Sequence, residues 1–295
     1  MSRKPPRVVI AGLGDSGLLT AIKLARHADV VGISVKPALV SGQELGLRLA
    51  RPKDWARDNW ISFDKYRGGL DPVRTVQATL TGLDLENRTV LGSAPDGSPV
   101  TETYDVLVIS TGVRNGFWRQ PTLQTPPEEI AADLTATHER LAAAESVMII
   151  GGGGGAAAVS AAANVATAWP GKTVDLYFPG ERALTEHHHR AWERLHDKLI
   201  GLGVGVHPGH RAVLPDGFDG DEITDGAVQW STGQPESTAD AVLWAIGRVK
   251  PNTEWLPPEL LDQQGFVKVT PPELQLCGHH HVFAIGDVAA TDPLR

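Results

Sequence analysis

The stretch "SVMIIGGGGGAAAVSAAANVA", Ser146 to Ala166, decides how the chain is read. Five consecutive glycines followed by an alanine-rich run have the composition of a flexible linker. The flanks argue otherwise. "SVMII" is a short apolar run of the buried-strand type, and "AAAVSAAANVATAW" is a helix, since alanine is the best helix former. "KTVDLYF" follows as the next strand. Gly151 and Gly153 take the first two glycine positions and Ala156 the third, which gives the accepted G-x-G-x-x-A variant of a dinucleotide-binding loop.

The same unit stands at the N-terminus. In "RVVIAGLGDSGLLTAIKLARHADVVGISV" the apolar run Val8 to Ala11 leads into Gly12, Gly14 and Gly17. A helical pattern follows, and the run Val30 to Val35 closes the unit. Gly12 permits a tight turn, Gly14 lets backbone approach a pyrophosphate, and Gly17 lets the helix pack close to the strand. The helix N-terminus offers unpaired N–H groups and a positive dipole end to phosphate. A carboxylate is the usual ribose ligand at the end of the second strand. Here Ser34 stands in that place, with Lys36 nearby. Two such units, about 140 residues apart, point to a flavoprotein that takes hydride from a nicotinamide and passes it through FAD.

Composition narrows the class. The chain has 295 residues, 41% hydrophobic and 21% charged, with a net charge of −8, ordinary for a soluble globular protein with room for two domains. No long basic run suggests nucleic acid. No apolar stretch reaches the roughly 18 residues of a membrane span. The start "MSRKPPRVVIAG" breaks too soon into glycines and Asp15 to be a signal peptide. Cys277 is the only cysteine, so no intramolecular disulfide can form, and a cytoplasmic location is the expectation.

Three further runs complete the pattern. "YDVLVISTGV" (Tyr104 to Val113), "ADAVLWAIGRVKPN" (Ala239 to Asn252) and "HHVFAIGDVAA" (His280 to Ala290) each read as a buried parallel strand running into a glycine turn. With the two loops, they resemble the two-dinucleotide flavoprotein reductases of the pyridine nucleotide–disulfide oxidoreductase superfamily. The subgroup without a redox disulfide is the nearest in pattern: the apoptosis-inducing-factor-like and ferroptosis-suppressor-like NAD(P)H:quinone reductases and the type II NADH dehydrogenases. The resemblance runs from Arg7 to Ala290 and implies an α/β fold of two Rossmann-like domains, the second inserted in the first, each with a small antiparallel sheet element.

The resemblance also implies roles. Gly12, Gly14 and Gly17 would bind FAD, the turn Ser110, Thr111 and Gly112 would lie against it, and Asp287 after Gly286 would hydrogen-bond its ribityl chain. Backbone near Val76 would flank the adenine. Gly151, Gly153 and Ala156 would hold NAD(P)H, and a small-molecule acceptor such as a quinone would take the electrons. No general acid or base is assigned, because the cofactor does the chemistry. The sequence departs from its relatives in places. Ala158 stands where they often carry a glutamate. No carboxylate ends the strand at Phe178-Pro179, and Arg182 close by could meet a 2′-phosphate, although a solvated surface arginine is the favoured reading of it; weak discrimination, with NADPH at least as good as NADH, is the expectation. Only eight residues follow Asp287, so loose FAD binding and an exposed apolar patch are expected. These departures favour the alternative of a nucleotide-binding sensor or degenerate homologue with little turnover.

The expected division places residues 1–118 and 241–295 in the FAD domain and 119–240 in the NAD(P)H domain. The proline-rich stretch 119–130 is the crossing linker. "QATLTGLDLENRTVLGSAPDGSPV" reads as a small antiparallel sheet. His187 to His189 are consecutive and share no helix face, so they read as a solvated helix start and not as a metal site. "GHHH" (Gly278 to His281) reads as a turn. Trp55, Trp60 and Trp118 fall in the flavin half and read first as packing residues. The sequence leaves oligomeric state open.

Overall fold

A computed structural model describes residues 4–40, 45–66, 68–115, 127–218, 223–247 and 249–291. Trp118 and most of the 119–130 linker lie outside the described residues. Two separate sheets carry the chain, as the two glycine loops require. The larger has seven strands in the order Val269–Thr270, Gln275–Leu276, His279–Ala284, Val106–Ile109, Arg7–Ala11, Asp29–Ser34 and Arg74–Gln77. From His279–Ala284 to Arg74–Gln77 every pairing is parallel. The chain leaves the Arg7–Ala11 strand toward Asp29–Ser34 on one side. It later returns to the other side at Val106–Ile109, so a topological switch point opens above Ala11.

The second sheet has the order Gly205–His207, Thr173–Tyr177, Ser146–Gly151, Ser237–Ala245 and Thr224–Val228, with only the last pair antiparallel. Its central strand registers Ile149 with Leu176 on one side and Leu243 on the other. The strand at 237–245 thus completes this sheet, and the return to the first sheet comes after Ala245, later than the expected boundary at 241. The reason is local: the apolar run 241–245 pairs with 147–151, and the chain crosses back only at Val249–Pro251, which pairs antiparallel with Val113–Asn115. The small antiparallel sheet of the first unit is present as Thr79–Asp84, Thr89–Ser93 and Pro99–Thr103. In the second unit the antiparallel element is the single strand Thr224–Val228.

Apolar residues on both faces of the parallel strands account for the burial. Val9, Ile10, Ala11, Val31, Leu107 and Ile109 are all but inaccessible, as are Ile149, Leu176 and Leu243. Each such aliphatic side chain contributes about 1.5–3 kcal/mol when withdrawn from water. The units meet through the short helix Leu45–Ala50. A Cβ at Gly46 would lie 2.7 Å from the Ser160 carbonyl oxygen and 2.8 Å from Ala161 Cα, so the helix rests on the backbone of the Ala157–Ala168 helix. Leu49 joins the core of the second unit, and the Leu49 carbonyl lies 3.0 Å from His138 Nδ1. Arg48 on the same helix is fully buried, and burial pulls its guanidinium down to about 10. Trp55 is also fully buried, against Val40, Leu47, Ala56 and Trp60, which fits its reading as a packing residue.

One sequence expectation changes here. His279 to His281 lie in the strand His279–Ala284 and not in a turn. His279 pairs with Leu276, and the same strand continues into Val282–Ala284, which pair with the Val106–Ile109 strand. An apolar groove of about 420 Å³ opens beside the helix Asp15–Leu24, lined by Val8, Leu24, Val106, Val108, Phe283 and Ile285. Among the described residues no helix is long and apolar enough to cross a membrane, and no cluster of His, Cys, Asp or Glu could hold a metal. Cys277 is exposed.

Candidate functional site

The first glycine loop is built by mutual exclusion of side chains. Gly12 has φ +102°, and a Cβ there would lie 2.5 Å from the Ser110 carbonyl oxygen. A Cβ at Gly17 would overlap the Gly12 carbonyl and approach Ser110 Oγ to 2.6 Å. Ser110 Oγ donates to the Gly12 carbonyl at 2.8 Å. Gly12 N–H donates to Ile33 O and Ser110 N–H to Ala11 O. The loop is therefore clamped between the switch-point strands by close backbone packing and by these hydrogen bonds. Gly14 differs. It is the N-cap of the helix Asp15–Leu24 with φ −74° and ψ −167°, and a Cβ there meets nothing within 4 Å. That side of the turn is open.

That space belongs to a cavity of about 690 Å³. Gly12, Gly14, Ser34, Lys36, Thr111, Gly112, Gly286 and Asp287 all line it. Gly17 lies beneath, holding the helix against the loop. Val76 does not reach the cavity: it sits in the edge strand opposite Ile33, and Ala78, Thr79 and Leu80 line the wall instead. At the far end Ser34 Oγ accepts from Lys36 N–H at 3.4 Å, and Lys36 is buried, which lowers its ammonium below the ordinary lysine value. At the other end Gly286 has φ +71°, a Cβ there would meet Ser16 Oγ at 2.6 Å, and Asp287 is exposed.

Sequence reasoning missed four contributing residues. Asn252 locks the Ser110–Gly112 turn: Thr111 Oγ1 donates to Asn252 O at 2.7 Å, and Asn252 Nδ2 donates to Thr111 O at 2.9 Å. Arg114 and Glu254 form an ion pair on the cavity wall. Trp255 lines the same wall and is buried. The only sequence signal for any of them was the run "GRVKPN".

The second loop repeats the first. Gly151 has φ +145°, and a Cβ there would overlap the Ala245 carbonyl. A Cβ at Gly153 comes no nearer than 3.9 Å, to Pro179 Cγ, so this position is open like Gly14. Ala156 is the N-cap of the helix Ala157–Ala168. Ala158 is fully buried below Gly151, so the glutamate of relatives has no room here. Phe178 follows the Thr173–Tyr177 strand and is buried, 1% exposed, against Trp192. Arg182 is not poised for a phosphate. Its guanidinium donates to the carbonyls of Leu184, Thr185 and His187, at 3.0, 3.0 and 3.2 Å. His187 to His189 are exposed, and His188 caps the helix His189–Gly201 by accepting from Arg190 N–H.

With both loops placed, the relationship to known proteins can be stated. The family "Pyridine nucleotide-disulphide oxidoreductase" matches residues 6–294. The chain belongs to this family. Among curated proteins, the chain is similar to Oxidoreductase ptaL of Pestalotiopsis fici, 27% identical over 235 residues, which cover 78% of this chain and 59% of that protein. Similar solved structures include NDH2 from Plasmodium falciparum in complex with NADH, with a TM-score of 0.70 at 15% identity over 97% of this chain and 64% of that one. The water-forming NADH oxidase from Lactobacillus brevis bound to NADH gives 0.66 at 18% over 96% and 62%. At these identities the structural likeness shows the fold alone. The chain spans about three-fifths of the length of these relatives. With Cys277 as its only cysteine, this member of the family has no cysteine pair.

Proposed function

We propose that the chain is the nucleotide-binding part of an FAD-dependent NAD(P)H oxidoreductase. The observation that carries the reading is the cavity that gathers Gly12, Gly14, Ser34, Lys36, Thr111, Gly112, Gly286 and Asp287 from four separate stretches of sequence around an open glycine. Gly14 and the helix behind it would hold the pyrophosphate on backbone N–H groups. Ser34 and Lys36 would meet the adenosine end, and Asp287 would accept from the ribityl hydroxyls. In the second unit the Gly153 turn and the N-terminus at Ala156 would hold the nicotinamide dinucleotide in the same way. Bound there, FAD supplies hydride transfer from the nicotinamide and onward to an acceptor, for which we propose a quinone. The chain itself binds, orients and shields.

The corresponding division is a flavin unit of residues 1–115 and 249–291, with a nicotinamide unit of 127–247 inserted between. Supporting it, the seven-stranded sheet draws on both ends of the chain and the five-stranded sheet on the middle. A second reading, a nucleotide sensor with little turnover, is favoured by Ser34 in place of a ribose carboxylate. One experiment separates the two. The purified protein is loaded with FAD, its visible spectrum recorded, and NADH or NADPH added without oxygen. Bleaching of the flavin band supports the oxidoreductase. A stable flavin band despite bound nicotinamide nucleotide would support the sensor.

A further inference from the structure

The segment after the Thr173–Tyr177 strand returns over the second glycine loop as an arm with a fixed backbone. Ala183 and Leu184 are buried in the core of the second unit. Leu184 N–H donates to Gly152 O at 3.0 Å, and Thr185 donates to Gly153 O from both N–H and Oγ1 at 2.9 Å. Leu184 holds φ +55°, a left-handed conformation uncommon for a leucine. Arg182 spends its guanidinium on the carbonyls of Leu184, Thr185 and His187. The shape so fixed lays the Glu186 side chain against Gly154. A Cβ built at Gly154 would overlap Glu186 Oε1, and would lie 2.9 Å from its Cδ and 3.4 Å from Oε2. Gly154 has no positive φ to demand glycine, so the group that fills its side-chain space is the carboxylate.

From this geometry we infer that Glu186 is a built-in brake on the second glycine loop: a held negative charge that weakens every ligand bearing a diphosphate there, NADH and NADPH alike. The inference rests on the reading of that loop as the site of the nicotinamide dinucleotide. Gly154 lies between the open position at Gly153 and the helix N-cap at Ala156, the stretch whose N–H groups would receive the diphosphate. The positive end of the helix dipole attracts that anion, and the carboxylate opposes it across the same turn. With Ala183 and Leu184 seated in the core, the arm does not carry the charge away, and only rotation of the Glu186 side chain relieves the repulsion. The diphosphate is common to both nucleotides, so the brake leaves their ratio unchanged. Its use is release: a nucleotide held less tightly leaves sooner once it has given up its hydride. Arg182 is a positioning residue, which acts through the arm and not on the ligand. At about 4 Å one pair of unit charges in water changes affinity by about fivefold, so removing the Glu186 charge tightens binding by about that factor.

The test measures Kd for NADH, NADPH and ADP-ribose by isothermal titration in the 295-residue protein, in Glu186→Gln, in Arg182→Ala and in the double variant. ADP-ribose keeps the diphosphate and lacks the nicotinamide. Glu186 is exposed, so Glu186→Gln folds, and its result decides the inference. All three ligands should bind about fivefold tighter in Glu186→Gln, with the ratio of NADH to NADPH held. The gain should shrink at about 1 M salt, where the screening length is about 3 Å. Arg182→Ala should show part of the gain, and the double variant no more than Glu186→Gln, because the two residues act as one unit. Unchanged Kd values in Glu186→Gln would overturn the inference and leave the site standing. Weaker binding would overturn it by showing the carboxylate to be a ligand. Tightening confined to NADPH, or absent for ADP-ribose, would place the charge away from the diphosphate and overturn it as well. Arg182→Ala binding like the parent would remove the positioning role. Failure of both the parent and Glu186→Gln to bind any of the three would overturn the site reading and this inference together.

Discussion

Replacing Gly14 with valine separates binding from folding. In the apoprotein the new Cβ meets nothing within 4 Å, and φ −74°, ψ −167° is backbone that valine adopts freely. The cost to folding is that of a poorer N-cap, about 1 kcal/mol, against a total stability of about 5–15 kcal/mol. That is a shift of roughly 2–4 °C in Tm for a protein of this size. The valine methyls would fill the space reserved for the pyrophosphate, and a lost charge-assisted hydrogen bond there costs about 1.5–3 kcal/mol. FAD affinity should then fall roughly 10- to 100-fold. Gly17→Val is the contrast, because its side chain would overlap the Gly12 carbonyl and press on Ser110 Oγ. It should lower Tm well beyond Gly14→Val whether or not flavin is present. The assay is thermal denaturation of apoprotein together with flavin absorbance after dialysis. Undiminished flavin in Gly14→Val, or an apoprotein Tm as low as that of Gly17→Val, would refute the reasoning.

Three further outcomes follow from the same geometry. Gly153→Val should keep the fold and lose nicotinamide nucleotide binding by about tenfold or more, whereas Gly151→Ala should destabilise the apoprotein through the Ala245 carbonyl; fluorescence titration and thermal melts distinguish them. Asp287→Ala should fold normally and hold FAD roughly tenfold more weakly, read as flavin content after dialysis. The Glu102 carboxyl is pushed up by burial, but hydrogen bonds from Arg74 and Arg7 outweigh this and hold it below the ordinary range. A depressed native value gives stability that is present above the unfolded value of about 4.3 and lost as pH falls through the native one. Glu102→Gln should therefore cost about 1–3 kcal/mol at pH 7 and flatten the acid limb of a denaturant-stability curve; an unchanged slope below pH 4 would count against it.

Both glycine loops and the strands before them were legible because each is written in one continuous stretch, apolar run into glycine into helix. The packing role of Gly12, Gly17 and Gly151 follows directly from that pattern. What was not legible depends on distant partners. Asn252 is 141 residues from the Thr111 it locks, and nothing in "KPN" announces that contact. Glu186 escaped notice because its reach toward Gly154 comes from a leucine at positive φ and an arginine spent on carbonyls, neither of which has a sequence signature. The histidine run at 279–281 misled because polar residues read as a turn, while His279 pairs with Leu276 and the run opens the strand whose Val282–Ala284 end pairs with Val106–Ile109. The sheet of the strand at 237–245 was not legible for a similar reason: the apolar run would suit either sheet, and only register assigns it.

The short helix that carries Gly46, Arg48 and Leu49 acts as a pin between the two halves of the molecule. Its backbone sits directly on Ser160 and Ala161, and Leu49 is a member of the opposite half's core. A swing of one half against the other would have to drag a fully buried arginine and leucine out of that seat. The separation of the two glycine loops is therefore set by this helix. The same pin makes the halves melt together, so a single cooperative calorimetric transition is the signature of this linkage.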